Sequence, residues 1–198
     1  TQFSLTTGQS ANDVTSATTA SIAPTSNRLV LLAVSHRGTS GSSNPAVISS
    51  EGLTWVLVTT GDAGDSPAYI LEVFRAMGSA PSSGTVAISF LGQTQHNIMW
   101  SIMEFDGIDT SGTNGSGAIA QSNSTGAFPS ATASTTLTNA PGGTSATYGA
   151  AQFNVGTSTT SPGTGFTEVH EQSSAGKVVN LETEWRSDAV QTISATNT

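Results

Sequence analysis

The sequence predicts an all-β protein, a two-sheet β-sandwich of jelly-roll type. Three observations predict it. Short runs alternate apolar and polar residues with the two-residue period of a half-buried strand. Two further runs are apolar on both faces, as strands covered on both sides are. Turn signals separate the runs at short spacing: Pro81-Ser82-Ser83-Gly84, Pro141-Gly142-Gly143 and Ser161-Pro162-Gly163. Ten to twelve strands at about this spacing suit a sandwich.

Taken in order, Gln2-Phe3-Ser4-Leu5-Thr6 forms a short strand with Phe3 and Leu5 on one face. Gly8 to Ser16 is polar and reads as a flexible spacer. Residues 1–16 are therefore either the first strand of the sandwich or an arm that pairs with a neighbouring copy, and residues 17–198 are the sandwich domain. A strand follows at Ala17–Ala23. Leu29 to Val34 is apolar on both faces and reads as a central strand. Leu53–Thr59 is the next strand. In Ala68–Met77 a helix competes, but Tyr69, Ile70, Val73 and Phe74 favour a strand. Thr85 to Phe90 alternates cleanly, with Val86, Ile88 and Phe90 on the core face. Ile98 to Met103 is the second two-sided apolar run. Ala118–Ser122 and Ala131–Thr138 are weaker strands within a Ser/Thr/Gly-rich stretch that also holds Phe128. Ser145–Val155 and Phe166–Glu171 follow. In Leu181 to Arg186 the alternation points Leu181, Thr183 and Trp185 inward and Glu182, Glu184 and Arg186 to solvent. Val190–Ala195 is the last strand.

The chain has 198 residues and a mass of 19.9 kDa, enough for one domain with its own core. Charged residues are 9 % of the chain and the net charge is −8, with only five Lys and Arg. That balance repels nucleic acid and anionic membrane surfaces, and no apolar run reaches the length of a membrane helix. The expected partners therefore exclude nucleic acid and membrane insertion. Cysteine is absent, which excludes thiol chemistry and cysteine metal sites. The chain begins at Thr1 with no visible leader, as after removal of one or within a longer gene product.

The order of motifs resembles a known domain. It runs through Asn27-Arg28-Leu29-Val30-Leu31, Gly52-Leu53-Thr54-Trp55 and Val73-Phe74-Arg75-Ala76, then Trp100 to Asp109. It ends with Gly163 to Glu168 and Glu182 to Arg186. From about Ala17 onward the chain resembles a largely uncharacterised jelly-roll-like sandwich of secreted bacterial surface proteins and phage virion proteins. The resemblance implies a structural or adhesive role with no catalytic residues. Such domains usually close with another apolar strand after the segment matching Val190–Ala195, whereas this chain stops at Thr198. A missing strand would leave an open groove, for which the arm carrying Phe3 and Leu5 is an available donor, while a sequence that stops short of that strand would explain the same gap.

Chemistry has few candidates. No Gly-x-Ser-x-Gly elbow is present, and His36, His96 and His170 are scattered without a partner pattern. Glu182 with Glu184, and Glu168 with Asp188, are the carboxylate pairs a glycosidase would need, but they read more simply as a solvated strand face. Glu104, Asp106 and Asp109 cluster at a strand end, and Asp62 and Asp65 share a turn. Hard oxygen ligands suit a structural calcium, the one cofactor considered, though Asp in turns more often bonds its own backbone. Trp55, Trp100 and Trp185 sit on apolar faces and are expected in the core, not as sugar platforms. Asn114-Gly115-Ser116 and Asn123-Ser124-Thr125 match the glycosylation pattern, making attached glycans a further expected partner.

The sequence thus leads to a non-enzymatic structural subunit of an extracellular polymer, a surface filament or fibril. It would be built from copies of itself by head-to-tail strand exchange through Phe3 and Leu5. Phage capsid decoration or a tail protein is the first alternative, and a carbohydrate-binding adhesin module the second. The expected location is outside the cell or on a virion.

Overall fold

A computed structural model describes residues 1–41, 43–50, 52–64, 68–126, 130–140, 142–154, 159–174 and 179–197. Among these there is no helix. The strands are β1 (Gln2–Gln9), β2 (Ser16–Thr18), β3 (Leu29–Gly38), β4 (Val47–Ser49), β5 (Val56–Asp62), β6 (Tyr69–Ala76) and β7 (Ala87–Ser89). They continue with β8 (Gln95–Phe105), β9 (Thr132–Thr136), β10 (Thr147–Phe153), β11 (Thr160–Ser161), β12 (Thr167–Ser173), β13 (Asn180–Arg186) and β14 (Thr192–Asn197). The expected all-β sandwich is present, and 68–77 is a strand as its β-branched and aromatic residues require. No strand forms at 118–122.

The pairings group the strands into four antiparallel sheets, a subdivision the sequence did not foretell. A five-stranded sheet has the order β1-β8-β3-β6-β5, and three-stranded sheets have the orders β2-β7-β4, β10-β13-β12 and β11-β14-β9. The two-sided apolar runs explain the stacking. On β3, Val30, Leu32 and Val34 pack with Ile88 and Phe90 beneath the β2-β7-β4 sheet. From its other face, Leu29 and Leu31 pack with Phe105, Tyr148 and Trp185, and Ala33 packs with Leu181, beneath the β10-β13-β12 sheet. The five-stranded sheet is therefore the middle of the molecule. The β11-β14-β9 sheet lies outside the β10-β13-β12 sheet, where Ala195 and Ala133 meet Ala151 and Phe153. Val86, Ile88, Phe90 and Leu181 are fully buried, as their alternation demands, and each is worth about 1.5–3 kcal/mol of burial.

Two expectations are corrected. First, the arm does not leave its domain. β1 pairs antiparallel with β8 of its own chain, from Gln2 opposite Phe105 to Gln9 opposite Met99, with a register shift at Leu5. Leu5 packs against the core, and Phe3 lies under the Arg28 guanidinium, 4.5 Å from its ring centroid. Nor is 8–16 a free spacer: the Ser10 N–H donates to the Ile98 carbonyl, and Val14 bridges Gln95. Gly8 belongs here for a steric reason. A Cβ at that position would stand 2.8 Å from the Trp100 ring, so glycine lets the strand cross the indole. Head-to-tail exchange through Phe3 and Leu5 thus loses its free donor.

Second, Glu182 and Glu184 do not face solvent. Both are buried, with 0 % and 2 % exposure, because the β11-β14-β9 sheet and the turn after β11 cover that face of β13.

Candidate functional site

The residues proposed as a calcium site are each engaged by protein donors. Glu104 is buried at the end of β8 and accepts from the Thr25 N–H (2.8 Å), the Thr25 hydroxyl (3.0 Å) and Arg28 (2.7 Å). Asp106 pairs with the Thr1 amino group at 2.6 Å, which with Arg28 holds its carboxyl below the usual range. Asp109 accepts from the Ser111 N–H at 2.7 Å, an Asx turn that lowers its pKa. Among the described residues no three His, Asp or Glu converge as a cation site. Asp62 closes its own turn by accepting from the Gly64 N–H, and Asp65 lies outside the described residues.

The histidines divide. His96 is paired with Asp13 at 2.9 Å on the surface. His170 is part-buried, its Nε2 has no partner among the described residues, and burial lowers its pKa despite Glu171 nearby. His36 sits in a closed polar network that sequence reasoning missed. Its Nε2 lies 3.3 Å from Glu72, and its Nδ1 lies 3.1 Å from both Ser43 Oγ and Gln95 Oε1. A serine, a histidine and a carboxylate in hydrogen-bond reach invite comparison with a catalytic triad. The surroundings argue otherwise. The Ser43 hydroxyl donates to Gln95 Oε1 at 2.8 Å, Glu72 also accepts from the Ala46 N–H, and His36 is fully buried against Phe90. The network satisfies polar groups at one end of the central sheet, as buried polar groups must be.

Sugar platforms find no support in the tryptophans. Trp100 is buried, the Trp55 indole donates to Ser50 at 2.9 Å, and Trp185 packs edge-on to Phe105. A cavity of about 1240 Å³ does lie between the five-stranded sheet and the β10-β13-β12 sheet. Leu31, Leu71, Phe105, Tyr148 and Trp185 line it, together with residues 130–135 and Ile193 and Ala195 of β14. Burial raises the Tyr148 pKa, and its hydroxyl has no partner among the described residues. Phe128 lies outside the described residues.

The two glycosylation candidates sit differently. Asn114 is half-buried in a left-handed turn. Asn123 is exposed, but its amide donates to the Thr136 carbonyl at 2.8 Å. It does so within a side-chain seal. Asn123 and Thr125 donate to the Thr136 and Ser134 carbonyls of β9, Gln121 donates to the Asn139 carbonyl beyond it, and Ser124 donates to Thr60 of β5. The polar residues just after the segment read from the sequence as a weak strand, Ala118–Ser122, thus cap two sheet edges with side chains.

That leaves the edges. β9 is capped at Ser134 and Thr136, and β5 only at Thr60. β12 carries Glu168 and Glu171, β2 and β4 have only three residues each and β11 two. β10 is a seven-residue uncharged edge of its own sheet. β1 has eight residues, none charged and none proline. It pairs with β8 on one side, and no described strand pairs with the other. Phe3 on this strand is 38 % exposed. Natural edges are usually blunted by charge, proline or shortness, and β1 has none of these.

The fold and its edge define a layered all-β sandwich with a long uncharged strand at one border. No family model, no curated protein and no solved structure matches the chain.

Proposed function

We propose that the protein is a non-enzymatic structural subunit that associates with copies of itself through the outer edge of β1. The observation that carries this reading is the eight-residue, charge-free edge strand with exposed Phe3. Two copies related by a twofold axis pair β1 with β1 in antiparallel fashion, each filling the other's open backbone row. Growth beyond a pair uses the opposite edge of the same sheet, where Leu57 of β5 is 46 % exposed. The low charge supports close packing of copies, and the motif order that resembles surface and virion domains supports a location outside the cell or on a virion. Jelly-roll connectivity belongs to this proposal. The closed His36 network and the tryptophans, Trp100 buried and Trp55 and Trp185 half-buried against protein neighbours, favour it over hydrolase and lectin readings.

Negative-stain microscopy and light scattering of the purified protein test it. Association that grows with concentration is expected. Ser4→Lys, an exposed edge change, abolishes it and leaves folding stability within about 0.5 kcal/mol. A protein that stays monomeric at its highest soluble concentration, or association indifferent to Ser4→Lys, overturns the reading.

A further inference from the structure

We propose that Glu182 and Glu184 act as a proton-held latch, keeping the β11-β14-β9 sheet on the β10-β13-β12 sheet and releasing it when they ionise. The register creates the site. Antiparallel pairing sets Glu168 opposite Glu184 and Glu171 opposite Glu182, so four carboxyls share the outer face of two neighbouring strands. The outer sheet meets them directly. The Thr160 hydroxyl donates to Glu182 Oε2 (3.1 Å), the Thr160 N–H to Glu171, and the Gly163 N–H to Glu184 Oε2 (2.6 Å). Glu182 Oε1 is buried with no partner among the described residues.

Nothing described neutralises the cluster. β9, β10, β11 and β14 carry no Asp, Glu, Lys, Arg or His. Arg186 lies further along the same face of β13, but Asp188 engages it through two contacts of 2.6 Å, and its Nη1 donates to Thr164. His170 stands opposite Thr183, whose hydroxyl reaches Ser101 on the far side of the sheet. Lys177 lies outside the described residues. Burial, reinforced by Glu168, pushes the Glu182 carboxyl up to about 8 against the opposing donation from the Thr160 hydroxyl. Burial pushes Glu184 up to about 7 against that from the Gly163 N–H, so desolvation outweighs both donors. Neutral acids are tolerated between the layers, whereas two carboxylates facing two more are not.

The outer sheet is the layer that yields. Its described apolar seam is small, Phe153 with Ala133, Ala151 and Ala195 and Ile193 over Gly149, against the extensive core on both faces of β3. Sparse apolar contact makes for low local stability. Ile193 and Ala195 of β14 also line the large cavity, so release widens it. The latch does not depend on the association proposed for β1.

Hydrogen exchange read by mass spectrometry, corrected for intrinsic rates, tests the latch. Between about pH 5.5 and about pH 8.5, amides of β9, β11 and β14 are expected to lose protection by about tenfold or more, while β3 and β8 keep theirs. The Glu182→Gln, Glu184→Gln double variant is expected to show no such loss. Glu168→Gln, an exposed change that leaves the fold intact, is expected to shrink the loss. Equal protection of the outer sheet at both pH values overturns the latch. So does a loss in which β3 and β8 loosen together with β14, or a loss of full size in Glu168→Gln.

Discussion

Leu91 stands in a turn that its side chain does not suit. Its φ is +53°, Gly92 follows at +85°, and the Gln93 N–H donates to the Phe90 carbonyl at 3.0 Å. Two consecutive positive φ values mark a type I′ turn, which favours Asn followed by Gly. Leu91 is 72 % exposed, so it gains little from packing in return for its left-handed backbone. Leu91→Asn is expected to raise stability by about 0.5–1 kcal/mol, read from the urea midpoint. Trp100 is the opposite case. It is buried under Gly8, and Trp100→Ala is expected to cost about 3–5 kcal/mol. Gly8→Val drives two methyl groups toward that ring and is expected to cost about 1–3 kcal/mol, measured the same way. The glycine was visible in the sequence, but its reason was not, since it depends on a residue ninety-two positions away, opposite it in the β1–β8 pairing.

Among the elements, β1 and β13 show how a correct strand can carry a wrong role. β1 was foreseen as a strand with Phe3 and Leu5 on one face. Whether it paired at home or abroad was beyond local pattern, because both options use the same backbone bonds. With Leu5 on the core and β8 paired along its length, deletion of 1–9 is expected to destabilise the monomer by exposing Trp100 and the β8 edge. Leu5→Asp is expected to do the same, because it places a charge against apolar neighbours. Chemical denaturation checks both. On β13 the alternation separated the two faces correctly, yet the face assigned to solvent is covered. The pH consequence has a definite sign. The folded-state pKa values of Glu182 and Glu184 lie above the ordinary 4.5, so the folded protein binds more protons than the unfolded one between that value and about 8. Stability is therefore greatest near the lower end of this window and falls as pH rises through it. Thermal melting in a pH series is expected to show this decline, and Glu182→Gln to flatten it.

For the whole molecule, the acidic, cysteine-free composition and the uncapped β1 edge bear on the same question, namely how copies meet. A twofold contact through β1 alone closes into a dimer, whereas a second contact at the β5 edge lets the assembly extend. Sedimentation of Leu57→Lys beside the parent protein separates these. Dimers are expected from the variant and larger species from the parent.

Most strand identities were legible in the sequence because alternation, β-branching and turn residues act over a few neighbours. The short β4 and β11 carried no such pattern, and the strand expected at 118–122 does not form. The central place of β3 and β8 was legible too, since only a strand covered on both faces is apolar on both. The number of layers was not legible, and neither was the fate of Glu182 and Glu184. A polar residue on alternate positions looks the same whether water or another sheet lies over it. Only tertiary contact between Thr160, Gly163 and those carboxyls decided which. The His36 network likewise gathers residues from β3, β6, β8 and the turn before β4, at separations no local spacing reveals. Local pattern determined what each segment is, and long-range packing determined what each segment faces, because burial is set by distant parts of the chain.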